Sequence, residues 1–184
     1  MANRSAWRLA FPLLLVAALT ACGRQGKAAD DRPAGLEQVR PELIAQHASI
    51  QPGGTTRVGV HFDIAPGWHI YYNVPGDAGL ATSIAWSSSR EAQFGPLFWP
   101  PPEHFLDPGD IHTQGYTGAV TLSSELKVKS SAALGSSVPV HAKVAWLACK
   151  EQCIPGHAAL DLALPIGAKP PVSSTHAELF DQVH

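Results

Sequence analysis

The chain has 184 residues, 45% hydrophobic and 15% charged, with 13 Lys and Arg against 15 Asp and Glu for a net charge of −2. That length supports one domain plus linkers. The sparse, scattered charges form no basic patch, which argues against nucleic acid as a partner.

In chain order, Arg4 and Arg8 precede the apolar run Phe11–Leu19. The run falls short of the roughly 20 residues a membrane span needs, so it reads as a cleaved export signal. Leu19-Thr20-Ala21-Cys22 resembles a bacterial lipobox, whose cysteine is diacylated and becomes the first mature residue. The sequence thus predicts a lipoprotein signal peptide over residues 1–21 and a lipidation site at Cys22. An ordinary secretory signal with a chance cysteine is the alternative. Several acyl chains would anchor the protein stably, since one chain alone binds membranes only marginally. Gly23, rather than Asp, follows the cysteine, as in lipoproteins sorted to the outer membrane. Removing residues 1–21 leaves 163 residues and lowers Lys plus Arg from 13 to 11, for a net charge near −4. Beyond the signal, no hydrophobic stretch is long enough to cross a bilayer.

Residues 22–39 read as a polar tether. A folded body is expected over residues 40–167 and a linker or tail over 168–184, whose end could form one or two helical turns. In the body, Val58, Val60, Phe62 and Ile64 alternate with Arg57, Gly59, His61 and Asp63, the period of a half-buried strand. Pro52-Gly53-Gly54 and Pro66-Gly67 bound it as turns. Further strands are predicted over Leu43–Ile50, Trp68–Asn73, Thr82–Ser87, Ala119–Val128, Val138–Leu147 and Ala158–Leu164. With no convincing helical period, the pattern predicts an all-β, immunoglobulin-like β-sandwich. Pro100–Gly118 carries Pro100, Pro101, Pro102 and Pro108 and reads as too Pro-rich for an internal strand. It is expected to be a long ordered loop docked by Phe105, Leu106 and Ile111.

Export places Cys149 and Cys153 in an oxidising compartment, where a pair can persist as a disulfide. Three intervening residues between two predicted strands put the pair in a turn, within the roughly 4.4–6.8 Å Cα separation a bridge requires. As a staple, so local a bridge contributes only about 2 kcal/mol by loop-entropy scaling. It can open and close without unfolding the sheets, which favours a redox role over a purely structural one. Lys150 would favour a thiolate and Glu151 would oppose it. Metal binding is the alternative, two thiolates with His69 or His157 holding Cu(I) or Zn²⁺. Against it, the single methionine, Met1, goes with the signal and the nine histidines form no HxH or HxxxH cluster. No metal site and no cofactor are therefore predicted.

The run Val144-Ala145-Trp146-Leu147-Ala148-Cys149-Lys150-Glu151-Gln152-Cys153-Ile154-Pro155-Gly156 resembles the active-site segment of a known family. So do Pro66–Tyr72, Pro75–Leu80, and Phe98-Trp99-Pro100 with Glu103 and Phe105, in the same order. Together they are similar to the N-terminal periplasmic domain of the thiol:disulfide interchange protein DsbD, over roughly residues 40–166. The resemblance implies an immunoglobulin-like sandwich with the cysteine pair at one end under a long cap loop, matched here by Pro101–Gly109. Phe105 falls where the cap's aromatic residue would shield the disulfide, with Glu103 nearby. His69 and Tyr71 match strand positions beside the cysteines; being two apart, they share a face. Trp146 is expected in the core, and Asp77 and Gly79 as shapers of a loop. The resemblance also implies that Cys153 forms mixed disulfides and Cys149 resolves them. A thioredoxin-like protein or membrane electron carrier would be the donor, and oxidised periplasmic proteins the acceptors. The pair has fewer intervening residues than the family's best-known member, and the family's transmembrane and thioredoxin-like domains are absent from this sequence.

Overall fold

The computed structural model of the chain describes residues 35–107 and 109–181. Strands β1 (Val39–Ala45), β2 (Thr55–Ile64), β8 (Ala119–Val128) and β5 (Ala92–Phe98) form one antiparallel sheet in the order β1-β2-β8-β5. A second sheet, β10-β9-β4, joins β10 (Cys153–Pro165), β9 (Ser137–Cys149) and β4 (Ser83–Ser88). The two pack face to face as an immunoglobulin-like sandwich, with Phe62 of β2 meeting Trp146 of β9 edge-to-face at 6.2 Å. Trp86 of β4 stacks on Phe94 of β5 at 5.4 Å along one margin.

Period-two alternation builds this core. Val58, Val60, Phe62 and Ile64 point inward from β2, against Val138, Val140, Ala142, Val144, Trp146 and Ala148 from β9, all buried. Each large apolar side chain so buried contributes about 1.5–3 kcal/mol. Trp146 is 4% exposed, and its indole lies where a Cβ on Gly156 of β10 would sit.

The expected loop at Pro100–Gly118 is instead largely a β-hairpin. Strands β6 (Glu103–Asp107) and β7 (Ile111–Tyr116) pair antiparallel, and β7 continues onto β3 (Ile70–Gly76) in a third sheet, β3-β7-β6. Pro100, Pro101 and Pro102 precede β6, which lies at a sheet edge and so tolerates missing ladder donors nearby. The Pro-rich text gave no sign of β5 either. Its Gly95-Pro96 falls in a register shift between Phe94 and Leu97, again on an edge strand.

The segment expected as a linker is docked. Its backbone carbonyls at Ala168 and Val172 accept from Gln51 Nε2 and Ala48 N–H at 2.8 and 2.9 Å, and Ser174 Oγ donates to the Ala45 carbonyl at 2.6 Å. A single 3-10 turn, Ala177–Phe180, follows. Phe180 is fully buried on the outer face of the first sheet, in space left by Gly59; a Cβ there would stand 3.2 Å from the ring. Ile44, directly opposite Gly59 in the β1–β2 register, is buried on the same face. Arg57 lies 5.6 Å over the Phe180 ring, and its Nη1 donates to the Phe180 carbonyl at 2.8 Å.

Candidate functional site: a cystine at a hairpin end

Cys149 ends β9, Cys153 begins β10, and the two are directly opposite in the register, joined by a disulfide with Cα atoms 4.1 Å apart. Lys150, Glu151 and Gln152 form the turn, closed by Lys150 N–H donating to the Gln152 carbonyl at 3.2 Å. The two ends of the bridge differ in access: Cys149 is 3% exposed, whereas Cys153 is open to solvent.

Each predicted surrounding residue can now be placed. His69 forms an isolated antiparallel bridge with Cys149, each N–H donating to the other's carbonyl at 3.0 Å. Its ring stacks on Phe105 of β6 at 4.8 Å and 28°, and meets Tyr71 edge-to-face at 5.0 Å. Three aromatic rings thus run from the cap hairpin to the strand beside the cystine. Phe105 is half-buried and Tyr71 is 4% exposed. Glu103 lies elsewhere: its Oε1 accepts from Thr117 N–H at 3.0 Å and Thr117 Oγ1 at 2.8 Å, tying down the base of the hairpin. Tyr116 adds to that base by donating to the Pro100 carbonyl at 2.7 Å. Burial, with Tyr72 nearby, pushes its phenol well above the ordinary range.

Asp77 and Gly79 shape the chain after β3. Asp77 N–H donates to the His112 carbonyl at 2.8 Å while its Oδ2 accepts from His112 N–H at 2.9 Å, fastening this segment to β7. Gly79 has φ +94°, and a Cβ there would collide with the Tyr71 ring. Glycine is required twice over, by backbone conformation and by close approach.

One feature beside the cystine carried no sequence signal. An open concavity of about 430 Å³ is lined by Trp68, Lys150, Glu151 and Gln152. Lys150 leans across the Pro66-Gly67 turn, its Nζ 3.3 Å from where a Gly67 Cβ would stand. Turn residues and Trp68 are 82 to 84 positions apart in the chain, so only the fold brings them together.

Among the described residues, no three His, Cys, Asp or Glu side chains are grouped so as to hold a metal ion. No described helix is long and apolar enough to cross a membrane. Cys22 lies outside the described residues.

Fold and site define an immunoglobulin-like β-sandwich presenting a cystine at the end of one hairpin, beside an aromatic cap. The chain belongs to the family of the N-terminal domain of the thiol:disulfide interchange protein DsbD, whose model matches residues 37–165. Among solved structures it is similar to the N-terminal periplasmic domain of ScsB from Proteus mirabilis, at 25% identity and a TM-score of 0.57. That match covers 79% of this chain and 53% of the other, so this chain spans about half the length of that ScsB structure. The reduced DsbD N-terminal domain of Neisseria meningitidis is matched at 14% identity and a TM-score of 0.38, over 74% of this chain and 91% of that one. No curated protein matches the sequence.

Proposed function

We propose that this chain is a periplasmic thiol–disulfide exchange module that cycles between a Cys149–Cys153 disulfide and the dithiol. The observation that carries this reading is the placement of the cystine. It closes the end of a hairpin rather than crossing the sandwich, with Cys153 open and Cys149 buried. Backbone pairs along β9 and β10 hold the strands together without it, and so short a loop gains only about 2 kcal/mol from closure. The bridge is thus suited to opening with little cost to the fold. Membership of the DsbD N-terminal family supports the same chemistry.

The difference in access supports the order of events. A donor thiolate attacks Sγ of Cys153, the sulfur it can reach, and expels Cys149 as a thiolate that takes up a proton. The donor's second thiol then attacks its own sulfur in the mixed disulfide and releases Cys153 as a thiolate. The donor has lost two electrons and the pair has gained them. Toward a target, Cys153 attacks the target's disulfide and one target sulfur leaves. Cys149 next attacks Cys153, which restores the cystine and frees the second target thiol. Lys150, adjacent to Cys149, favours the thiolate forms. Phe105, stacked on His69, covers the approach from the cap side, while Glu103 and Tyr71 fix the cap and its neighbouring strand.

In this reading the donor is a thioredoxin-like protein or a membrane electron carrier, and the acceptors are oxidised periplasmic proteins. Residues 1–21 act as a lipoprotein signal, acylated Cys22 anchors the domain to the membrane, and Gly23 favours the outer one. The tether expected over residues 22–39 is shorter than that at its far end, since Val39 opens β1 and is buried and Leu36 packs on the core. The stretch between Cys22 and this point then sets the reach of the cystine.

Trapping tests the reading. Purified Cys149→Ser protein, reduced and mixed with oxidised periplasmic proteins, should accumulate mixed disulfides through Cys153 that dissolve on adding reductant. Equal capture by Cys153→Ser, or capture by neither variant, overturns the assigned roles.

A further inference from the structure

The cystine has two flanks, and they differ. On one, the His69 ring meets Phe105 and Tyr71. Trp68 is one position earlier in the chain, where the backbone leaves the Pro66-Gly67 turn. Its side chain lines the concavity of about 430 Å³ with Lys150, Glu151 and Gln152. Trp68 is partly buried against the core, which fixes one side of the indole and leaves the rest as a wall. Among the described residues, the other walls are the three between the cysteines.

This position constrains whatever reacts. A mixed disulfide holds the two Cα atoms within roughly 4.4–6.8 Å, and the next partner residue is only about 3.8 Å further on. A partner joined to Cys153 must therefore pass its flanking residues beside Lys150–Gln152. On the cap flank the His69 ring, next to Cys149, is stacked with Phe105; on the Trp68 flank lies the open concavity. We propose that this concavity is a recognition subsite for the side chain next to the partner's reactive cysteine, and that it favours an aromatic one. The indole offers a ring face or edge to pack on. Lys150 and Gln152 add an alkyl stem and an amide at the rim. This deepens the exchange reading and rests on it: the cysteines supply the chemistry, and the concavity selects among partners.

The test uses the intact reduced protein and two short peptides, each with one cysteine as a mixed disulfide to thionitrobenzoate. One carries Phe beside the cysteine and the other Ser. Cys153 thiolate attacks the peptide sulfur and releases coloured thionitrobenzoate; Cys149 then displaces the peptide thiol and the cystine reforms. The Phe peptide is expected to react about fivefold faster than the Ser peptide, the effect of one aromatic contact. In Trp68→Ala that ratio should fall to near one, while the rate with oxidised glutathione stays unchanged. Gln152 is exposed, so Gln152→Trp fills the concavity without touching the core and should abolish the preference in the same way. A ratio near one in the wild-type protein, or a preference that survives both substitutions, overturns the subsite and leaves the exchange reading standing. No release from any probe, oxidised glutathione included, overturns both.

Discussion

His69 and Cys149 are paired backbone to backbone, each N–H donating to the other's carbonyl at 3.0 Å. The buried half of the cystine is therefore tied to the residue whose ring stacks on Phe105 of the cap hairpin. Cap and cystine share one intermediary, and a change in either is felt through it.

Removing the Phe105 ring should unmask the disulfide. Phe105→Ala is expected to raise the rate of reduction by dithiothreitol roughly 2–10-fold, measured by stopped-flow thiol detection, with Phe105→Leu intermediate. Unchanged rates would remove Phe105 from the cap's shielding role.

Access should also separate the two thiols of the reduced protein. Brief treatment with iodoacetamide and peptide mapping should find Cys153 modified at least about tenfold faster than Cys149, which is buried beneath the turn. Equal labelling would contradict the order of attack given above.

The docked C-terminal segment should behave as part of the domain. Phe180→Ala removes a fully buried ring from the outer face of the first sheet and should cost about 3–5 kcal/mol in denaturant unfolding. Arg57→Ala, which loses the contact over the ring and the bond to the Phe180 carbonyl, should cost less. If Phe180→Ala were neutral, this segment would not be folded onto the sheet in solution.

Burial depresses the His61 pKa, outweighing the carboxylates of Glu42 and Asp63 that oppose the shift. Well above its ordinary value of about 6.5 the imidazole is neutral in folded and unfolded chains alike and has no effect. As pH falls below 6.5 the unfolded chain takes up a proton that the folded one resists, so stability declines until the lower folded pKa is passed. His61→Gln, which can keep a bond to Thr121 Oγ1, should flatten unfolding free energy between pH 7 and 5. An equally steep profile in that variant would assign the dependence elsewhere.

Much of the sandwich was legible because its strands obey a simple period. The predicted Ala119–Val128 coincides with β8, and the predicted strands flanking the cysteines extend into β9 and β10. The edge strands β5 and β6 were hidden, since Pro96 inside the one and Pro100–Pro102 before the other read as loop. The docking of Phe180 was equally hidden, because it depends on an absence at Gly59, 121 positions away. At the site, spacing placed the cysteines in a turn, and the register puts them directly opposite. Resemblance directed attention to His69, Tyr71 and Phe105. Glu103, expected in the cap's surround, opens β6 and fastens the hairpin base through Thr117. Trp68 lay within the matched Pro66–Tyr72 run, but its place beside the turn was not legible, because a concavity exists only once distant segments are folded together.

Titration of the intact protein in glutathione buffers, with thiols counted by alkylation and the fold followed by circular dichroism, tests the exchange reading most directly. The account predicts reversible opening of Cys149–Cys153 at a poise above about −300 mV, with the strand signal unchanged throughout. A bridge that stays closed below that poise, or that opens only as the sheets unfold, would make it a structural staple and contradict the account.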